Sequence, residues 1–219
     1  LEASGFAVRM GVAGVPTAFI AEWGSGRPII GYLGEFDALS GVSQEISSER
    51  KPRVPGAPGH GCGHNILGTA ALGAALGLKH VLSETKTPGT VRYYGCPAEE
   101  LLAGKVYMAR AGVFDDLDVA ITWHGGSTNS VRLGSGNAMN SAKFKFFGKT
   151  AHAAGDPHNG RSALDAVELM NVGANYLREH VINTARIHYV ITNGGGQPNV
   201  VPAEAEVWYF VRAPDRYNV

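Results

Sequence analysis

The chain has 219 residues, 44% hydrophobic and 17% charged, with 19 basic and 19 acidic side chains for a formal charge of zero. This is the composition of a globular protein long enough for one large core or two modest ones, and it excludes a disordered chain. No basic stripe marks nucleic-acid binding, and no basic amphipathic face or run of about 20 apolar residues marks a membrane, so neither partner is expected.

Leu1 is not a Met, and Phe6-Ala7-Val8 reads as a strand already under way, so the sequence is taken as a piece of a longer protein. Residues 17–23 and 28–36 read as strands joined by the turn Gly24-Ser25-Gly26, and 43–57 as a polar loop. The clearest helix covers 65–83, with Gly68, Ala71, Ala74 and Ala75 as a small-residue face for packing on a sheet. Buried strands follow at 90–96 and 117–123, separated by a helix over 104–111. Alternation of this kind predicts α/β architecture. From about residue 139 the pattern becomes β-α-β-β, with strands at 141–147, 186–191 and 205–211. Its helix, over 162–180, puts Ala163, Ala166, Val167, Met170 and Leu177 on the apolar side. A small second domain on an antiparallel sheet is expected there.

With only two cysteines, Cys62 and Cys96, a disulfide framework is not expected, and a reducing cytoplasm suits a free thiolate at Cys62. Cys62 and His64 lie two apart in the Gly-rich stretch Gly59-His60-Gly61-Cys62-Gly63-His64-Asn65. Cysteine, imidazole and carboxylate are what first-row divalent metals select. Downstream come the adjacent acids Glu99-Glu100 and then His124, each just past a predicted strand, as is Asp37. In open α/β sheets that rim is where ligands gather. Adjacent acids offer one carboxylate to a metal and one as a base.

Each residue also has a bland reading. Cys62 could be a small buried hydrophobe, Glu99-Glu100 acids at a helix N-terminus, Asp37 a cap and His60 a loop closer. A Cys62 nucleophile paired with His64 is disfavoured, because the two are too close in sequence for an in-line attack. The residues alone leave His152, Asn199 and Arg212 open between loop or surface positions and a site.

Together the segments GEFDALSG, GHGCGHNILGTAA, GCPAEE, GVFDDLDVAITWHGG, FFGKTAHAAGDPHNGRSALDAVELMN and PNVVPAEAEVWYFVRAPD span nearly the whole chain. They resemble metallopeptidase family 20, the two-metal aminoacylases and carboxypeptidases, and within it the amidohydrolase branch. The resemblance implies a zinc-peptidase-like catalytic domain plus an α+β lid. Residues 1–137 would be the amino-terminal part of the catalytic domain, 138–213 the lid and dimerisation domain, and 214–219 the start of the return. It implies Cys62, His64, Glu100 and His124 as ligands of two divalent ions, Mn or Zn, with Cys62 bridging. Glu99 corresponds to the general base and Asp37 to an acid behind a ligand. His152 would polarise the scissile carbonyl from a partner subunit, while Asn199 and Arg212 would hold the substrate. Ser40 replaces the family's usual Pro, and the family's last ligand, a histidine near the carboxyl end of the catalytic domain, has no counterpart in these residues.

The expected activity is therefore metal-dependent hydrolysis of the amide bond of an N-acyl amino acid. An aromatic acyl-glutamate such as p-aminobenzoyl-glutamate is the favoured substrate, with assembly as a homodimer or hetero-oligomer through the lid. A dipeptidase of the same fold is the alternative enzyme, and an inactive dimerisation or metal-binding fragment the alternative of another class.

Overall fold

The computed structural model describes residues 1–101, 103–131 and 134–219, and the chain forms two compact units, Leu1–Asn129 and Ser130–Val219.

In the first unit five strands lie in the order β1-β2-β4-β3-β5. They are β1 (Ala7–Met10), β2 (Phe19–Ser25), β3 (Ile29–Glu35), β4 (Gly89–Cys96) and β5 (Val119–Ile121). β2 pairs antiparallel with β1 and β4, while β3 runs parallel to β4 and β5. The end of β2 needs its glycine: Gly24 has φ +88°, and a Cβ there would meet the Gly89 carbonyl oxygen at 2.3 Å.

A parallel pair requires a crossover, and α1 (His64–Thr85) supplies it between β3 and β4. Its Leu67, Gly68, Ala71 and Ala75 are buried at helical spacing. Ala74, expected on that face, is exposed because it falls off this stripe. By length and composition α1 is long and apolar enough to cross a bilayer, which corrects the expectation that no such run exists. Here it lies along β3 and β4, its apolar character coming largely from the Ala and Gly that permit close approach. Val91 and Tyr93 of β4 pack beneath α1 with Phe6 and Ala21, whereas Tyr94 and Cys96 face Met108 of α2 (Gly104–Arg110). Buried on both faces, β4 reads as a near-continuous apolar run.

β5 corrects a second expectation. It has three residues, and Val119 and Ile121 are 45% and 42% exposed, because among the described residues it is the edge strand, paired only to β3.

In the second unit β6 (Ala138–Phe147), β7 (Arg186–Asn193) and β8 (Glu204–Ala213) form an antiparallel sheet in the order β6-β8-β7. α3 (Ala163–Leu177) starts at Ser162, whose hydroxyl accepts the Asp165 N–H at 3.1 Å. Ala163 and Val167 pack on Ile187, Ala205, Val207 and Tyr209. Buried Asn171 lies on the same face and accepts the Tyr209 hydroxyl. Leu177, expected on that face, is half exposed; α3 ends there and residues Arg178–His180 tighten into a 3-10 turn.

Candidate metal centre

Because β3, β4 and β5 are parallel, their carboxyl ends share one rim, and the amino end of α1 returns to it. β3 ends at Glu35, and Asp37 follows. β4 ends at Cys96, and a turn with Ala98 at φ +56° leads into Glu99 and Glu100. After β5, the Trp123 indole donates to the Leu67 carbonyl at 3.2 Å, which ties the segment carrying His124 to α1. Gly63, at φ +80°, lets the chain turn from Cys62 into His64.

His64 is fully buried. Its Nδ1 lies 3.0 Å from the Asp37 carbonyl oxygen and donates to it, which in the neutral ring leaves the Nε2 lone pair bare. Among the described residues Nε2 has no hydrogen-bond partner, and three carboxylates surround it: Glu35 Oε2 at 3.3 Å, Glu99 Oε2 at 3.6 Å and Glu100 Oε1 at 4.0 Å. His124 is arranged alike. Its Nδ1 donates to the Gly125 carbonyl oxygen at 3.0 Å, and its Nε2 lies 3.2 Å from Cys62 Sγ. Asp37 works from behind: Oδ2 accepts the Glu100 N–H at 3.0 Å, and Oδ1 stands 3.2 Å from His64 Nδ1.

Two overlapping groups of donors result, Cys62 with His64 and His124, and Glu35 with His64 and Glu99. Within each group the donor atoms lie inside 4.8 Å of one another. Burial, and then the Glu35 carboxylate, push the Glu99 carboxyl above its ordinary pKa. Burial, and then Glu100, raise the Cys62 thiol. Crowded acids and a bare buried imidazole nitrogen are costly without a cation. Glu100 Oε1 is likewise buried and unpartnered. This donor set fits divalent metal ions.

Glu35 and Lys105 were not anticipated. The Lys105 ammonium pairs with Glu35 Oε1. The available signal was an acid closing an apolar strand two positions before Asp37. His60 is exposed, and its carbonyl accepts the Gly63 N–H, closing the loop.

The other three candidates lie in the second unit. His152 is exposed, and its Nδ1 accepts the N–H groups of Ala154 and Gly155 at 3.2 and 3.1 Å. In the neutral ring Nε2 therefore carries the proton, free to donate. The Ala153 N–H bonds to the Asn199 carbonyl at 3.0 Å and His152 bridges Val200, which brings Asn199 beside His152. Arg212 is not part of that contact. It sits on β8 opposite Met139 and Arg186, its Nε buried without a partner among the described residues.

Both cysteines are free thiols. Burial pushes the Cys96 pKa up to about 12, so this thiol should resist alkylation while half-buried Cys62 reacts. Iodoacetamide at pH 8 is expected to label one thiol in the folded chain and two in denaturant. Zn should protect Cys62; labelling of Cys96 in the folded chain would contradict the structure.

The model of the peptidase dimerisation domain matches residues 137–219. One subunit of the p-aminobenzoyl-glutamate hydrolase of Escherichia coli is 52% identical over the whole of this chain, which covers 46% of that protein. The chain thus spans about half the length of the curated relatives it matches. Among solved structures, an aminobenzoyl-glutamate utilization protein from Klebsiella pneumoniae aligns with TM-score 0.68 and 22% identity, over 99% of this chain and 60% of that one. A dinuclear metal-binding peptidase from Bacillus subtilis aligns with TM-score 0.58 and 21% identity, over 99% of this chain and 56% of that one. These two show the shared α/β fold, and residues 137–219 match the dimerisation domain of the M20 peptidases.

Proposed function

We propose that the protein is a metal-dependent amidohydrolase that cleaves the amide bond of N-acyl amino acids, with aromatic acyl-glutamates such as p-aminobenzoyl-glutamate as substrates. The observation that carries this reading is the buried, unpartnered His64 Nε2 facing carboxylates next to the Cys62–His124 pair. Cys62, His64, Glu100 and His124 would hold two divalent ions, Mn or Zn. When bound, such ions polarise a carbonyl and lower the pKa of water from 15.7 toward roughly 7.

The remaining chemistry belongs to side chains. Glu99 takes the proton from the attacking water and returns it to the leaving amine. Asp37 orients His64 through its carbonyl and Glu100 through its carboxylate. His152, with its proton on Nε2, is suited to donate to the developing oxyanion. Asn199 and Arg212 would position the substrate, the guanidinium pairing with its free carboxylate. The residues that match the dimerisation-domain model support assembly through the second unit, as a homodimer or with a related subunit. The free thiols suit a reducing compartment such as the cytoplasm. In domain terms, residues 1–137 read as catalytic, 138–213 as lid and 214–219 as the start of the return.

The test uses the full-length protein with Mn or Zn on p-aminobenzoyl-glutamate, other acyl-glutamates and dipeptides. Hydrolysis of the acyl-glutamates that EDTA abolishes and metal restores is expected. Cleavage of dipeptides alone would favour the dipeptidase, and no turnover on any of them an inactive assembly domain.

A further inference from the structure

Glu35 lies outside the ligand set that the family resemblance supplies, yet it closes β3 at the centre of the rim and is only 7% exposed. Its carboxylate has two neighbours. Oε1 accepts from the Lys105 ammonium, and Oε2 faces His64 Nε2 at 3.3 Å. His64 is itself 0% exposed, its Nδ1 proton is given to Asp37, and Nε2 has no hydrogen-bond partner. In the neutral ring, a lone pair set against a carboxylate oxygen in a buried site is repulsive unless a cation lies between them. Glu35, His64 and Glu99 also bring donor atoms within 4.8 Å of one another, close enough to wrap one ion.

We propose that Glu35 is a metal ligand, sharing one ion with His64 in an oxygen-rich half of the centre, while Cys62 and His124 serve the sulfur-containing half. The inference rests on the metal-pair reading above. An imidazole nitrogen binds a single ion, so His64 cannot complete both donor groups. The Glu35 carboxylate lets it stay with the oxygen-rich one. The two halves then differ in softness: carboxylate and imidazole accept Mn readily, whereas thiolate and imidazole favour Zn. Lys105 neutralises Glu35 in the metal-free chain and competes with the incoming ion. The rival role for Glu35 is purely structural, as the countercharge that fastens α2 to the end of β3.

Calorimetric titration of the metal-free chain with Mn alone and with Zn alone, checked by elemental analysis, separates the two roles. Wild-type chain is expected to bind two ions. E35Q should lose one, or bind it at least about tenfold more weakly, with the larger loss for Mn. K105M should keep both and bind Mn more tightly, since the carboxylate has lost its competing cation. Wild-type affinities in a folded E35Q would overturn the proposal. If E35Q fails to fold by circular dichroism, K105M decides: tighter Mn binding supports a ligand, and unchanged or weaker binding overturns it. A wild-type chain that takes up neither metal defeats the metal reading and this inference with it. Two ions bound with equal affinity by wild type and E35Q defeat the inference alone.

Discussion

Glu99→Gln is expected to lower kcat of the full-length protein by about 10²–10⁴, the usual contribution of a general acid–base group. KM and metal content should stay close to wild type. The two adjacent acids sit differently, and that difference assigns the roles. The Glu100 backbone N–H is fixed by the Asp37 carboxylate, and its Oε1 is buried with no partner of its own, as suits a ligand waiting for a cation. Glu99 is freer, with its carboxyl raised above the ordinary pKa first by burial and then by the Glu35 carboxylate. A carboxylate that is not held as a ligand can both accept a proton from water and give one to an amine. Glutamine keeps the shape and loses the proton shuttle. Steady-state kinetics beside elemental analysis of the same preparation checks the claim. Wild-type turnover in E99Q would remove Glu99 from the reaction, and loss of metal would make it a ligand instead.

Much of this centre was legible along the chain because its parts are local. Cys62 and His64 share one short Gly-rich turn, Glu99 and Glu100 are adjacent, and His124 directly follows the β5 segment. A strand–helix–strand alternation brings such segments to one rim, so order alone carried the geometry. Glu35 was missed because its importance is non-local: it depends on the start of α1 and on Lys105, 70 positions away. Periodicity likewise could not tell that the apolar run containing β5 is an edge, since a short apolar strand looks the same wherever it sits in the sheet. At Leu177 the spacing was helical, but the helix had reached its end before that side chain could cover the sheet. The proton position on His152 was beyond the sequence altogether, being set by two backbone N–H groups that the loop aims at Nδ1.

Gly104→Ala and Gly73→Ala should move stability in opposite directions, though both place an alanine in a helix. Gly73 lies on the open side of α1, where an added Cβ meets nothing within 4 Å. That substitution should gain up to about 1 kcal/mol from helix propensity. At Gly104, which opens α2, the same Cβ would lie 1.7 Å from the Pro97 carbonyl oxygen. Ordinary contact between carbon and oxygen needs about 3.3 Å, so helix or turn must retreat by roughly 1.6 Å. The helix cannot retreat freely, because Met108 is fully buried against Tyr94 and Cys96. The turn cannot either, because the Ala103 N–H holds the Ala98 carbonyl at 3.2 Å, and Glu99 and Glu100 follow at once. G104A should therefore cost about 3 kcal/mol or more, the upper end for overpacking. It should weaken Mn and Zn binding as well, because the shift falls on the carboxylates themselves. Urea unfolding followed by circular dichroism, with metal titration of each variant, reads both effects. A G104A chain as stable as G73A, with wild-type metal affinity, would mean that the turn following Cys96 does not hold these acids as described.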